Sequence, residues 1–156
     1  MTYRSLFRLL PVLAVAVLSS CASKPQGFTK VKIYRLNPTA KITAVDPSIG
    51  FEQQHYMHGA ISNDERDARA GNYYTFFWKA DDRTRPVTVR LEYRQSLTRS
   101  AVKKQEVEVT DVKRNNVTKF EINAEEFQTN GKVLSWRAVL VQGGKELATT
   151  QSFMWQ

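Results

Sequence analysis

Strict alternation of apolar and polar side chains in the segment VTVRLEYR, residues 87–94, is the feature that most constrains the fold. One face of this segment carries only apolar or aromatic groups: Val87, Val89, Leu91 and Tyr93. A period of two residues is the side-chain period of a β-strand, and a single apolar face predicts a strand that is buried on one side. Such a strand needs a second layer of structure to cover its apolar face.

The same alternation recurs after residue 30 and predicts most of the chain to be β-strand. NYYTFFWKA, residues 72–80, is apolar on both faces, which predicts a central strand. Gln142-Gly143-Gly144-Lys145 has the composition of a tight hairpin between the last two strands. The other predicted strands are VKIYRL, KQEVEVTDV, VTKFEIN, KVLSWRAVLVQ and KELATTQSFMW.

One segment, about residues 63–70, breaks the alternation and predicts a short helix. Ser62 and Glu65 have the spacing of a capping box, and the neighbouring acidic residues suit the start of a helix. Gly71 fits the position that follows a helix C-terminus. A second helical turn is predicted at residues 124–127, AEEF.

About seven to eight strands, regular turns and little helix predict an all-β fold, a β-sandwich. Over residues 72–156 the order of strand, corner, Trp136 strand, Gly-Gly hairpin and final strand resembles immunoglobulin-like and fibronectin-type domains. The resemblance implies an immunoglobulin-like β-sandwich, predicted here as a single domain over residues 31–156. The chain departs from true immunoglobulins because it has no cysteine pair and keeps Trp136 in the penultimate predicted strand.

The N-terminal segment has the three-part plan of a secretory signal and ends at the single cysteine. Arg4 and Arg8 precede an apolar stretch of about ten residues, too short to span a bilayer. Leu18-Ser19-Ser20-Cys21 resembles the lipobox of bacterial lipoproteins. The resemblance implies that residues 1–20 are a signal peptide removed before Cys21, and that the Cys21 thiol carries diacylglycerol.

Lipidation would hold the domain on a membrane, because two or three acyl chains anchor a protein firmly. Ala22 follows the cysteine where inner-membrane lipoproteins of enteric bacteria usually have aspartate. The resemblance to Gram-negative envelope lipoproteins therefore implies the outer membrane, facing the periplasm. Residues 21–30 are predicted to be a short polar tether. The formal charge of +8 favours anionic neighbours, although an ordinary basic surface is the simpler interpretation of it.

The sequence predicts no catalytic residue, metal site or cofactor. His55 and His58 are candidate metal ligands, but no third ligand stands at a fixed spacing. No serine lies in a G-x-S-x-G setting, no glycine-rich phosphate loop is present, and the acids alternate along predicted strands as on solvated faces. Nucleic acid is not a predicted partner, because an exported, lipidated domain does not routinely meet it.

A sheet face is the best candidate for binding a partner. If Trp136 points inward, the residues next to it in the alternation point outward, beside the arginines of the neighbouring strand. The candidate face consists of Arg90, Arg94, Arg137, Val139 and Val141. Valine mixed with arginine is compatible with a protein interface. The alternative is that the two valines are covered by the N-terminal strand or a helix of the same chain.

These observations predict a membrane-anchored envelope lipoprotein whose β-sandwich is a non-catalytic interaction or accessory domain, with an envelope protein as its partner. Two alternatives stay open. The first is a periplasmic carrier that binds a small apolar or anionic ligand between its sheets. The second is an enzyme in which His55 and His58 converge with acidic side chains.

Overall fold

Two antiparallel β-sheets form the body of the molecule in the computed structural model, which describes residues 26–38 and 47–156. The seven strands of these ranges are β1 (Gly27–Leu36), β2 (Gly71–Lys79), β3 (Val87–Gln95), β4 (Lys103–Val109), β5 (Asn116–Asn123), β6 (Val133–Gln142) and β7 (Lys145–Gln151). The smaller sheet has the order β1-β2-β5 and the larger one β4-β3-β6-β7. The predicted all-β, immunoglobulin-like sandwich is confirmed. In constant-type immunoglobulin domains the fourth strand joins the sheet of the first, second and fifth strands. Here β4 pairs with β3 in the other sheet.

Three helices lie within the described ranges: α1 (Pro47–Met57), α2 (Asn63–Ala68) and α3 (Ala124–Asn130). The predicted helix near residues 63–70 is α2, and its capping box is present, with Glu65 N donating to Ser62 Oγ at 3.1 Å. The predicted turn at residues 124–127 is the first part of α3. The strand-based prediction missed α1, because that helix buries none of its residues and so has no apolar stripe. No described helix is long and apolar enough to cross a membrane.

Gly71 has a different role from the predicted one. It is the first residue of β2 and is buried, and the helix before it ends with Arg69 as its C-cap. A Cβ at Gly71 would lie 2.4 Å from the carbonyl oxygen of Ile122 on β5. The glycine is therefore required for the close approach of two strands, and not for the left-handed turn that often follows a helix.

The N-terminal strand begins earlier than the predicted domain start at residue 31. β1 starts at Gly27, so the last residues of the predicted tether are strand. Phe28 is aligned with Trp78 of β2 and packs against the core. Because the ring of Phe28 reaches the core, the pairing of β1 with β2 extends toward the N-terminus, although this part of the sequence is polar overall.

Aromatic rings fill the space between the two sheets. Phe76 on β2 is fully buried, and its ring lies 5.6 Å from Phe28, 6.1 Å from Tyr74, 5.9 Å from Phe120 and 5.6 Å from Trp136, measured between centroids. Distances and tilts of this kind are those of favourable aromatic pairs. The predicted inward orientation of Trp136 is confirmed. A carrier of the predicted kind would need room between the sheets, and side chains fill that space.

We predict that Phe76→Ala lowers the free energy of unfolding by about 3–5 kcal/mol, because it removes a large buried ring and leaves a cavity. The measurement is urea denaturation. Phe153→Ala is the matched control, since Phe153 is 97% exposed, and it should change stability by less than about 0.5 kcal/mol. Equal effects of the two substitutions would contradict the packing described here.

Candidate functional site

The five residues of the predicted binding face do come together, on the outer side of the larger sheet. Arg90 of β3 is paired in register with Val139 of β6, and Arg94 lies further along β3. Arg137 and Val141 lie two residues to either side of Val139 on β6. The alternation in the sequence was sufficient to place these residues on one face, because side chains two apart on a strand share a face.

The arginines of this face are engaged by neighbouring acids. Glu92 is central: its Oε2 accepts hydrogen bonds from Arg137 Nε at 2.9 Å and Nη2 at 2.6 Å, and its Oε1 lies 3.0 Å from Arg90 Nε. Arg90 Nη2 also donates to Glu146 Oε1 at 3.1 Å. The face is thus a ladder of ion pairs whose charges largely cancel within the chain itself.

The C-terminal residues occupy the other end of the same face. The guanidinium of Arg94 lies 4.4 Å from the ring centroid of Trp155, and that of Arg137 lies 5.7 Å from it. Arg94 Nη2 also donates to the carbonyl of Gln156 at 3.1 Å. Both contacts are of the cation–π and charge-assisted kinds that hold arginine side chains in place.

Val139 is fully buried on this outer face, although it does not belong to the core between the sheets. Its in-register neighbours are Arg90 on β3 and Thr149 on β7. Within the described ranges neither N-terminal element covers Val139, because β1 belongs to the other sheet and α1 lies against that sheet. Arg90, its in-register neighbour, has a long apolar stem of the kind that commonly covers apolar groups.

We predict that Glu92→Gln destabilises the fold by about 1–3 kcal/mol, because it removes the carboxylate that accepts two hydrogen bonds from Arg137 and forms an ion pair with Arg90. Glu106→Gln is the control: Glu106 is 45% exposed, and its oxygen lies 4.0 Å from Lys104 Nζ. Denaturant unfolding of both variants measures the difference. A cost for Glu92→Gln as small as that of the control would show that the ladder contributes nothing to stability.

A groove lies on the opposite side of the molecule, between α1 and the outer face of the smaller sheet. It encloses about 680 Å³ and adjoins a second cavity of about 400 Å³. Both cavities are lined by His55 and Tyr56 of α1 and by Tyr73, Thr75 and Lys119 of the sheet. The larger volume lies within the range typical of small-molecule sites.

Tyrosine stacking holds α1 over the sheet. The ring of Tyr56 is stacked on that of Tyr34, with centroids 5.2 Å apart and an angle of 10°, and lies 4.1 Å from the ring of Tyr73. Arg69 Nη1 donates to the backbone carbonyls of Tyr56, at 3.0 Å, and His58. Since α1 buries no residue completely, these contacts make Tyr56 the main point at which the helix is fixed.

The floor of the groove is built from three rows of residues that lie side by side across β1, β2 and β5. Strand register gives the rows as Lys32–Thr75–Lys119, then Tyr34–Tyr73–Glu121 on one side and Lys30–Phe77–Val117 on the other. Among the described residues, neither Lys32 nor Lys119 forms an ion pair. The groove therefore has a basic row between an aromatic, partly acidic end and an apolar end.

The tyrosines of the groove are protonated well beyond the usual pH range. Burial, with the nearby charge of Glu52, raises the pKa of Tyr34 and of Tyr56 above the ordinary value of 10.0. Burial also raises the pKa of Tyr73, whose hydroxyl donates to the carbonyl of Arg69 at 2.6 Å. The phenols therefore stay neutral at physiological pH and add no negative charge beside the lysines of the groove floor.

The two histidines lie at the end of α1, and His55 lines the cavities together with Glu52 and Glu121. The ring of His55 contacts the edge of Tyr56, with centroids 5.4 Å apart, and His58 follows the helix in a turn. No group of three or more potential metal ligands occurs among the residues that the structure describes. His55 lines both cavities of the groove.

Sequence reasoning missed the groove, because α1 and the sheet are far apart in the chain and the helix carries no apolar stripe. One signal was available. NYYTFFWKA is apolar on both faces, and the second face, with Tyr73 and Phe77, is the one beneath α1. Comparison with protein-family models, curated proteins and solved structures finds no match to this chain.

We predict that the tyrosines of the folded chain titrate at higher pH than those of the unfolded chain. The pKa is raised for all five described tyrosines: Tyr34, Tyr56, Tyr73, Tyr74 and, to about 12, Tyr93. Folding favours the neutral phenol, so the stability from these groups is complete below pH 10 and is lost as pH rises through the raised values. Phenolate absorbance in buffer and in guanidinium measures this, and coincident curves would contradict it.

Proposed function

We propose that this chain is an envelope lipoprotein, held on the periplasmic side of the outer membrane through acyl chains on Cys21, and that its β-sandwich acts by binding and not by catalysis. The observation that carries the binding role is the groove beneath α1. Within the described residues it combines lysines that form no ion pair with exposed aromatic and aliphatic side chains, and charge placed beside exposed apolar surface is typical of recognition sites.

The larger sheet supports this assignment by contrast. Its arginines were the predicted partner-binding residues, yet Arg90 and Arg137 are paired with Glu92, and Arg94 and Arg137 lie against Trp155. A partner at that face would have to displace contacts within the chain. A partner in the groove would not have to displace such ion pairs, so we assign the binding role to the smaller sheet.

The anchor and the groove are close in the chain. β1 begins at Gly27, six residues after Cys21, and an extended chain of that length reaches only about 20 Å. Lys30 and Lys32 follow immediately on β1. A lipid on Cys21 would therefore keep the smaller sheet and its groove near the membrane surface, where anionic headgroups attract lysines.

In-cell photocrosslinking with the full chain tests this proposal. A photoreactive phenylalanine analogue replaces Phe51, which lines the groove and is 68% exposed, or Phe153, which is 97% exposed and lies near the other sheet. We expect a discrete adduct from position 51 and none from position 153. A Cys21→Ser chain should lose an alkyne fatty-acid label, leave the membrane fraction and give less adduct.

Two results would overturn parts of the proposal separately. A Cys21→Ser chain that still sediments with membranes and incorporates the fatty-acid label elsewhere would refute the anchor. Equal adducts from positions 51 and 153, or none from position 51, would refute the groove as the binding surface. Circular dichroism of each variant shows that the sandwich has formed.

A further inference from the structure

We propose that the ligand of the groove is a membrane lipid with an anionic headgroup, bound with its phosphate at the row Lys32–Thr75–Lys119 and its apolar part against Phe77 and Val117. This inference rests on the proposed function and names its ligand class. Three properties of the groove favour this ligand: the position of its positive charge, the position of its apolar surface and its distance from the anchor.

The positive charge is concentrated where one anion can meet both lysines. Lys32 on β1 and Lys119 on β5 are each aligned with Thr75 on the central strand β2. Neighbouring strands lie about 4.8 Å apart, so the two backbones are separated by roughly 10 Å. The flexible side chains of two lysines can converge over that distance, and the Thr75 hydroxyl between them is a further donor.

The acids of the groove favour one orientation of the ligand. Glu121 lies in the next row toward the tyrosines, and the charge of Glu52 reaches Tyr34 and Tyr56. An anion is repelled from that end. It is therefore held at the lysine row, and the rest of the molecule is directed toward the row of Phe77 and Val117.

The apolar end is open to a ligand. Val117 is 52% exposed and Phe51 of α1 is 68% exposed, and both line the groove together with Phe77. Lys30 borders the same row through its pairing with Phe77. A free phosphate would bind the lysines but leave these apolar side chains in water. The ligand is therefore an amphiphile and not a free anion.

The source of the ligand follows from position. Lys30 and Lys32 lie on the strand that begins six residues after Cys21, so an anchored domain presents this groove to the membrane surface. Anionic lipids there attract nearby lysines, and each lysine adds appreciably to the affinity. Charge complementarity and closeness to the anchor thus both favour an anionic membrane lipid as the ligand.

Native mass spectrometry of the full chain, purified from membranes in neutral detergent, tests the inference. The probes are phosphatidylglycerol, phosphatidylcholine and inorganic phosphate. We expect one phosphatidylglycerol per chain, at least tenfold weaker binding of phosphatidylcholine, and no displacement by millimolar phosphate. Lys32→Gln with Lys119→Gln should weaken phosphatidylglycerol binding about 30-fold.

The matched control is Lys104→Gln with Lys145→Gln, which makes the same change in net charge at exposed lysines of the larger sheet. It should leave binding within about twofold of the unmodified chain, because surface charge alone acts weakly at that distance. Val117→Asn adds a test of the apolar end. It should weaken phosphatidylglycerol binding although both lysines remain.

Three results would overturn the inference: equal binding of the two lipids, equal effects of the two lysine pairs, or displacement of the lipid by free phosphate. Failure of the lipid inference can be distinguished from failure of the proposed function. If the position 51 adduct forms in cells but purified chain binds no phosphatidylglycerol, the lipid inference alone fails. If the lipid binds but no adduct forms in cells, the proposed function fails.

Discussion

The packing of Phe76 against the rings around it is the interaction on which the rest of the structure depends. Phe76 lies on the central strand of the smaller sheet and contacts Trp136 of the larger one, so the two sheets are joined through aromatic side chains. Trp78 is buried next to it and satisfies its indole N–H on Thr118 Oγ1 at 2.9 Å. With the interior filled in this way, binding has to take place on an outer surface.

The two outer surfaces differ in how their charges are balanced. On the larger sheet Glu92 binds two arginines, and Trp155 covers the guanidinium groups beyond it. On the smaller sheet Lys32 and Lys119 carry charge without an acidic partner among the described residues. Paired charge stabilises a surface and makes it a poor binding site, whereas unpaired charge beside apolar groups is compatible with both exposure and recognition.

Local patterns predicted the sandwich well, because strand alternation, the Gly-Gly hairpin and the capping box of Ser62 each depend on residues close in sequence. The hairpin glycines have φ of 56° and 78°, as the composition implied. The predicted arginine face was also assembled correctly. The alternation places Glu92 between Arg90 and Arg94, but it could not show that Arg137 lies beside Glu92, because the in-register pairing of β3 with β6 is not encoded in either strand alone.

The groove was beyond sequence reasoning for a related reason. Its roof, α1, is held mainly by the stacking of Tyr56 between Tyr34 and Tyr73, three residues that are far apart in the chain and belong to three different elements. Strand register alone places Lys32 and Lys119 in one row. The early start of β1 at Gly27 likewise depends on Phe28 reaching a ring on another strand. Such features follow from tertiary contacts and leave only weak traces in local composition.

The most direct measurement is a set of intermolecular nuclear Overhauser effects between the acyl protons of bound phosphatidylglycerol and the methyl groups of the full chain. We predict contacts of these acyl protons to the methyls of Val117, at the apolar end of the groove on the outer face of the smaller sheet. Contacts to Val141 would place the ligand on the arginine face, and contacts to Leu91 or Leu140 would place it between the sheets. Either result would contradict the assignment of binding to the groove.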